Sequence, residues 1–376
     1  MAYCKYRLGD LIEQYDEINL NGEFADIDDL QGINSNKYFQ ECKSNKNDID
    51  LYRYRICRHR MFSYNRATSR NGEKISIALR TGRDCIVSPS YYCFRVKDED
   101  VLCPEYLDIW FKRPVFDRYA RFNSWGSATE FFNFDDFCAT EIMLPHIAVQ
   151  RKIVHDYQVI TDRIELLRKM NENLEEQAAL RFSNFMDSLN GTEGFFSDVI
   201  KIMGGGTPST TVNEYWNGNI PFFTPGDIDG VFCFSTDKTL TEEGLANCSS
   251  KEYPVKTTFI TCRGTVGKVA MAGVPMAMNQ TCYALTGKGK YPDFFVYEFV
   301  KYFVNSIKRK ANGGVFDAIT TKDFETEKAI IPSVEHAIAF EKSVAPSFTV
   351  VFYNQREMVT LDNIRSMMTA ITLKGV

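Results

Sequence analysis

From Gln150 to about Asn190 the chain contains no glycine or proline, and its apolar residues recur at alternating steps of three and four. One set runs Tyr157, Ile164, Asn171, Ala178, Phe185, and the other Ile153, Ile160, Leu167, Leu174, with charged flanks such as RIELLRK and NENLEEQ. A seam this narrow predicts a coiled coil, since a helix lying on a globular core needs a wider apolar stripe. Asn171 falls on the seam, where a single polar residue fixes register at some cost in stability. After Pro332 the segment VEHAIAFEKSVAPSFTVVFYNQREMVTLDNIRSMM repeats the plan, with Val344, Phe348, Val351 and Met358 on one face and Pro346 weakening its first turn or two. A helix of roughly 40 residues spans ~60 Å.

The segments outside these helices are built twice. Residues 61 to 96, MFSYNRATSRNGEKISIALRTGRDCIVSPSYYCFRV, follow the order of TCRGTVGKVAMAGVPMAMNQTCYAL (261 to 285) and the residues just before it. Each has an aromatic, an arginine, a polar turn with glycine and lysine, an Ile/Val/Ala strand and a second strand. Phe62 aligns with Phe259 and Arg66 with Arg263, both 197 apart. EFFNFDDFCATEIMLP (130 to 145) parallels FDAITTKDFETEKAIIP (316 to 332), matching Asp136, Phe137 and Pro145 to Asp323, Phe324 and Pro332 at 187, while Asp10 and Asp198 are 188 apart. Half of 376 is 188, so one duplicated unit accounts for the chain: globule, long helix, globule, long helix. Two such helices pair antiparallel when the intervening globule returns the chain. Two similar heads related by an internal pseudo-twofold suit a duplex whose grooves recur every ~34–36 Å.

Composition narrows the class. With 44% hydrophobic and 25% charged residues the chain reads as a soluble globular protein of two or more domains. MAYCKYRLGD has no signal-peptide core, and no apolar run approaches the ~18 residues of a membrane span, so a cytoplasmic location is expected. Eleven scattered cysteines without a C-x-x-C pair, and four histidines without ligand spacing, argue for reduced thiols and no metal site.

The net charge of -5 conceals a basic run. Between Tyr52 and Arg83 lie Arg53, Arg55, Arg58, Arg60, Arg66, Arg70, Lys74, Arg80 and Arg83 against one acid, Glu73, a local +8 dominated by arginine, whose planar fork suits phosphates and guanine edges. Gly264-Thr-Val-Gly-Lys268 invites a phosphate-loop reading. That loop needs a glycine where Cys262 stands and Ser or Thr where Val269 stands, so a turn between strands is expected, with Arg263 and Lys268 as candidates for phosphate or base contact. The amides of Asn279 and Gln280 suit either an adenine edge or the backbone of an irregular strand.

At this point a family resemblance emerges. GGGTPSTTVNEYWNGNIPFFTPGDI (204 to 228), Arg263 to Lys268, Asn279-Gln280 and Ile330-Ile331-Pro332 before a helix resemble, in that order, the target-recognition domains of the specificity subunits of type I restriction-modification systems. The first globule lacks the G-T-P-S and Y-W elements. The family's glutamine after the closing proline is matched by Gln150, whereas Ala337 holds the equivalent place in the second copy.

The resemblance implies an α+β fold: two mixed α/β recognition domains (1–146 and 191–332) separated by two long helices (147–190 and 333–376) that form an antiparallel coiled coil. It implies a non-catalytic reader of a bipartite, asymmetric target in double-stranded DNA, with the helices setting the spacing and docking two modification subunits. Two restriction (motor-nuclease) subunits can join. No cofactor is expected on this chain; S-adenosylmethionine, and ATP with Mg, belong to the partners. No Pro-Pro supplies the loop of an adenine methyltransferase, Pro292-Asp293 lacks a following acid-x-Lys, and no nucleophile has a histidine motif beside it. The other readings are a non-DNA two-headed coiled-coil scaffold, favoured by the acidic balance, and the specificity subunit of a single-complex restriction system that cuts on both sides of its site.

Overall fold

Strands without polar alternation must be buried on both faces, and Thr258–Thr261 shows why: Ile260 points into one apolar cluster and Phe259 into another. The computed structural model describes residues 3–42, 50–68, 74–127, 129–189, 191–310 and 318–372. Its residues fall into two units, Met1–Asp162 with Asp362–Val376, and Arg163–Leu361, so the divisions lie inside the long helices.

In the second unit a five-stranded sheet runs in the order Ile200–Gly204, Cys282–Gly287, Thr258–Thr261, Val269–Ala272, Phe232–Cys233. The helix Asp293–Lys310 covers one face with Phe295, Phe299 and Phe303, and the other face packs on Phe223, Met276 and Met278. The first unit has a four-stranded antiparallel sheet in the matching order, Ile12–Gln14, Tyr91–Val96, Phe62–Asn65, Ile77–Leu79. Two helices, Pro104–Phe111 and Pro114–Phe122, cover it where the second unit has one. Pro114 explains the break: it pushes Arg113 to an extended ψ of 137°.

Each unit opens with a strand paired antiparallel to its last one, Tyr3–Arg7 with Glu141–Pro145 and Thr192–Phe195 with Lys328–Ile331. Here the offsets of 187 and 188 hold residue by residue, and Phe137 and Phe324 are both fully buried. In the central sheet the offset of 197 does not hold. The ladders equate Ile12 opposite Val96 with Ile200 opposite Gly287, and thus Phe62 opposite Phe94 with Thr258 opposite Leu285, an offset of 196. One residue of slip reverses a strand's faces. Phe62 therefore faces the covering helices, its equivalent is Thr258, and Phe259 points to the other side. The same shift sets Arg66 against Cys262 and Ala67 against Arg263, as the bonds from Phe132 N to Arg66 O and from Ile319 N to Cys262 O require.

The long helices span Ile147–Ser188 and Val334–Thr372. In the second unit they run antiparallel, since Arg163 pairs with Glu357, Asn171 with Asn354, and Arg181 with the Ser343 carbonyl. Ile164, Leu167 and Asn171 are buried along the seam, Asn171 against Met358. Ile160 and Leu174 are half-buried, and Ile153 and Tyr157 pack on the core of the first unit. Ala178, Phe182 and Met186 then join the core of the second, with Phe182 against Phe295, Phe299 and Phe340. Val344, Phe348 and Val351 likewise meet the covering helix, Phe348 stacking on Phe294 at 4.6 Å. The heptad seam thus widens into an ordinary core stripe where a globule is present. Pro346 does not interrupt its helix; the Arg181 guanidinium donates to the Ser343 carbonyl, one turn before the proline.

Candidate nucleic-acid interface

About half of the arginine run is paired with acids, all but one of which are distant in sequence. Arg53 pairs with Asp50, Arg55 with Asp16, and Arg60 with Glu99 and Glu105. Arg58 is a hub: its guanidinium donates to Glu17, Glu23 and Asp84. The Glu23 and Glu17 bonds hold its proton more tightly than usual. In return the Arg58 bond holds the Glu17 carboxyl below its ordinary value. Burial would raise Asp84, but the His59 N–H and Arg58 outweigh it and lower its pKa. The local +8 is therefore partly compensated, because folding brings carboxylates from 16–29 and 84–105 against Arg55, Arg58 and Arg60.

The remaining cations sit differently. Arg83 reaches Asp29 at 3.4 Å yet stays 77% exposed. Arg80 lies over the Phe39 ring and donates to the Arg83 carbonyl. Lys74 is exposed, and Arg70 lies outside the described residues. Arg66 is exposed, its guanidinium 5.1 Å from the Phe131 ring and 5.9 Å from that of Tyr92. The strand carrying Arg66 continues as bridges from Ala67 to Phe131 and from Phe131 to Trp125. Sequence reasoning passed over this segment, RFNSWGS, although aromatics in a turn-forming stretch are its signal. Phe122 and Trp125 there are 81% and 67% exposed.

In the second unit, Thr261 to Lys268 is a turn between two strands. The Thr261 hydroxyl donates to the Thr265 carbonyl and accepts from the Lys268 N–H at 2.9 Å. Gly264 and Gly267 adopt φ of 77° and 78°, the left-handed conformation that favours glycine. Arg263 and Lys268 are exposed there, with Lys308 close enough that a Cβ on Gly267 would lie 3.4 Å from its Cε. The loop's amides serve the turn, not a phosphate cradle.

The family-like motifs make contacts that hold their own loops. Trp216 donates from its indole to the Ser209 carbonyl at 3.1 Å, and the Thr207 hydroxyl donates to the Gln280 side chain. A Cβ on Gly205 would come within 2.5 Å of the Met278 and Asn279 carbonyls. The side-chain oxygen of Asn279 accepts from the Thr281 N–H and hydroxyl at 3.1 and 2.9 Å. Only Gln280 of the two amides is exposed.

Gln150 is fully buried. It accepts from the Cys103 N–H at 3.0 Å, at the start of the helix Pro104–Phe111, and donates to the Val101 and Pro145 carbonyls, both at 2.9 Å. With Ala337 in the second unit, Tyr291 donates to the equivalent Pro332 carbonyl at 2.8 Å, and Glu341, one turn beyond Ala337, accepts from the Phe295 N–H at 2.9 Å. Two residues replace one glutamine at this helix junction.

Fold and surface define a class: a twice-built α/β scaffold whose motifs hold loops in place and whose exposed cations and aromatics lie at strand ends and turns. Residues 192–342 match the family of the Type I restriction modification DNA specificity domain. The chain is 29% identical over 143 residues to the type I restriction enzyme MjaIX specificity subunit of Methanocaldococcus jannaschii, covering 37% of this chain and 33% of that protein. It is 30% identical over 184 residues to the HindI specificity subunit of Haemophilus influenzae, covering 48% and 40%. These matches thus span well under half of each relative's length. The crystal structure of a type I restriction-modification S subunit from M. genitalium superposes with a TM-score of 0.59 at 13% identity, over 100% of this chain and 97% of that one, a likeness of fold. Residues 192–342 are thus similar to a type I restriction-modification DNA specificity domain, and the chain as a whole is similar in fold to an S subunit. Among the described residues no helix is long and apolar enough to cross a membrane.

Proposed function

We propose that the chain is the DNA-reading subunit of a type I complex, in which each unit reads one half of a split, asymmetric target and the long helices set the gap between the halves. The observation that carries this reading is the double construction: the same strand order and ladder register, presented with different exposed loop residues. Similar scaffolds with unlike loops suit two unlike half-sites.

The helices also dock two modification subunits. Leu166, Met170, Leu180, Val350 and Tyr353 in the second unit, and Val159, Ile364 and Met367 in the first, are large apolar side chains left exposed on them. Steps of three, four and seven among these positions suit a partner helix. S-adenosylmethionine is carried by those partners, and ATP with Mg by two restriction subunits; the chain itself performs no bond chemistry and works in the cytoplasm.

Modified-base sequencing of the host genome, with and without this gene and with the modification gene intact, tests the proposal. Loss of a split motif methylated on adenine in both halves is expected on deletion. Unchanged methylation in a strain whose modification subunit is active would overturn it.

A further inference from the structure

The helix Pro114–Phe122 ends in Phe122, and three residues later comes Trp125; both rings stand in solvent. Leaving two large aromatics in water is unfavourable, so their exposure calls for an occupant. Neither sits on a floppy tail. The Asn123 amide donates to the Tyr119 carbonyl at 2.9 Å, the Ser124 hydroxyl donates to the Ala120 carbonyl at 2.6 Å, and Trp125 exchanges two backbone bonds with Phe131 at 3.1 and 2.9 Å. Helix end and strand together fix where the rings emerge.

Charge selects the occupant. Arg118 lies four residues before Phe122, on the same helical face, exposed and paired with no carboxylate among the described residues. Arg66 stacks over Phe131 on the adjoining strand, also without an acid partner there. The nearby acid Glu130 is taken by Arg121. Two exposed rings three residues apart, with Arg118 one turn before the first and Arg66 over the strand partner of the second, make no broad apolar face for a protein. They match a nucleic acid, with phosphates for the cations and a base step for the rings.

We propose that Phe122 and Trp125 form an aromatic wedge that enters the duplex and unstacks a base step in the half-site read by the first unit. The inference rests on the DNA-reading role proposed above. The wedge contributes to specificity through the deformability of the step it opens, without reading base edges.

The test uses the full chain and a library of randomised duplexes to select its target, then scans that target with 2-aminopurine in place of each adenine. The wild type is expected to brighten the probe at one step of one half-site. F122A/W125A should enrich the same target, bind it roughly tenfold or more weakly and lose the signal, while Trp125→Phe keeps it. Because both rings are exposed, thermal unfolding of the double variant should match the wild type. A double variant that retains signal and affinity overturns the wedge, as does a wild type with no brightened position. A wild type that enriches no sequence overturns the DNA-reading role itself, which separates the two failures.

Discussion

The side-chain amides of Asn171 and Asn354 meet across the two long helices, with Asn354 Nδ2 donating to Asn171 Oδ1 at 2.8 Å, both residues being buried. The Asn171 Nδ2 donates to the Met358 sulfur at 3.8 Å. A buried polar pair on an apolar seam holds one register, because any sliding of the helices leaves both amides unsatisfied. Asn171→Ala should lower the stability of the second unit by about 1–3 kcal/mol, whereas N171L/N354L should recover most of it. Urea denaturation of the single and double variants checks this; equal losses in both would show that the amides contribute only packing volume.

Gln150 and Tyr291 solve the same problem in the two units. Gln150→Ala leaves the Cys103 N–H and two carbonyls without partners and should cost about 2–3 kcal/mol. Tyr291→Phe removes one bond, to the Pro332 carbonyl, and should cost about 1 kcal/mol. Thermal unfolding followed unit by unit, by hydrogen exchange at 103–111 and 293–303, locates each loss.

Arg58 predicts an acid-dependent stability. The folded-state pKa values of Glu17 and Asp84 are depressed, so their contribution is present in full above the unfolded carboxylate values of about 4 and disappears as pH falls through the lower folded ones. Arg58→Met should therefore lose about 1 kcal/mol at neutral pH, the hub being partly solvent-screened. The gap in urea midpoint between variant and wild type should close as pH falls below about 4. A gap that is constant with pH would assign the loss to packing.

Ion pairing separates compensated arginines from candidate DNA contacts. On the selected target, Arg66→Ala, Arg263→Ala and Lys268→Ala should each weaken binding and reduce the slope of log Kd against log salt by about 1, since each phosphate contact releases counterions. Arg55→Ala should leave the slope unchanged once its variant is shown to be folded, because its charge is already matched by Asp16. Filter binding between 50 and 200 mM salt, roughly the range over which such slopes are steep, distinguishes the groups.

Periodicity and repetition were legible because they are properties of position along the chain. The Pro145 and Pro332 junctions, the correspondence of Asp136 to Asp323 and the Asn171 seam position follow from spacing alone. The charge compensation of the arginine run was hidden for the opposite reason. A window of sequence counts only neighbours in the chain, and Glu17, Glu23, Glu99 and Glu105 arrive on Arg58 and Arg60 through the fold.

By itself the sequence determined two copies of one α/β unit, each ending in a long helix, and a Thr261–Lys268 turn that is no phosphate loop. Glycine conformation, heptad spacing and duplication all act locally, so they can be read locally. Only the tertiary structure decided which face each strand presents, since Phe62 and Phe259 look equivalent in sequence yet a ladder shifted by one residue puts them on opposite sides of their sheets. It alone decided which cations remain free and that Phe122 and Trp125 stand in water, because burial and charge compensation depend on partners that are distant in the chain.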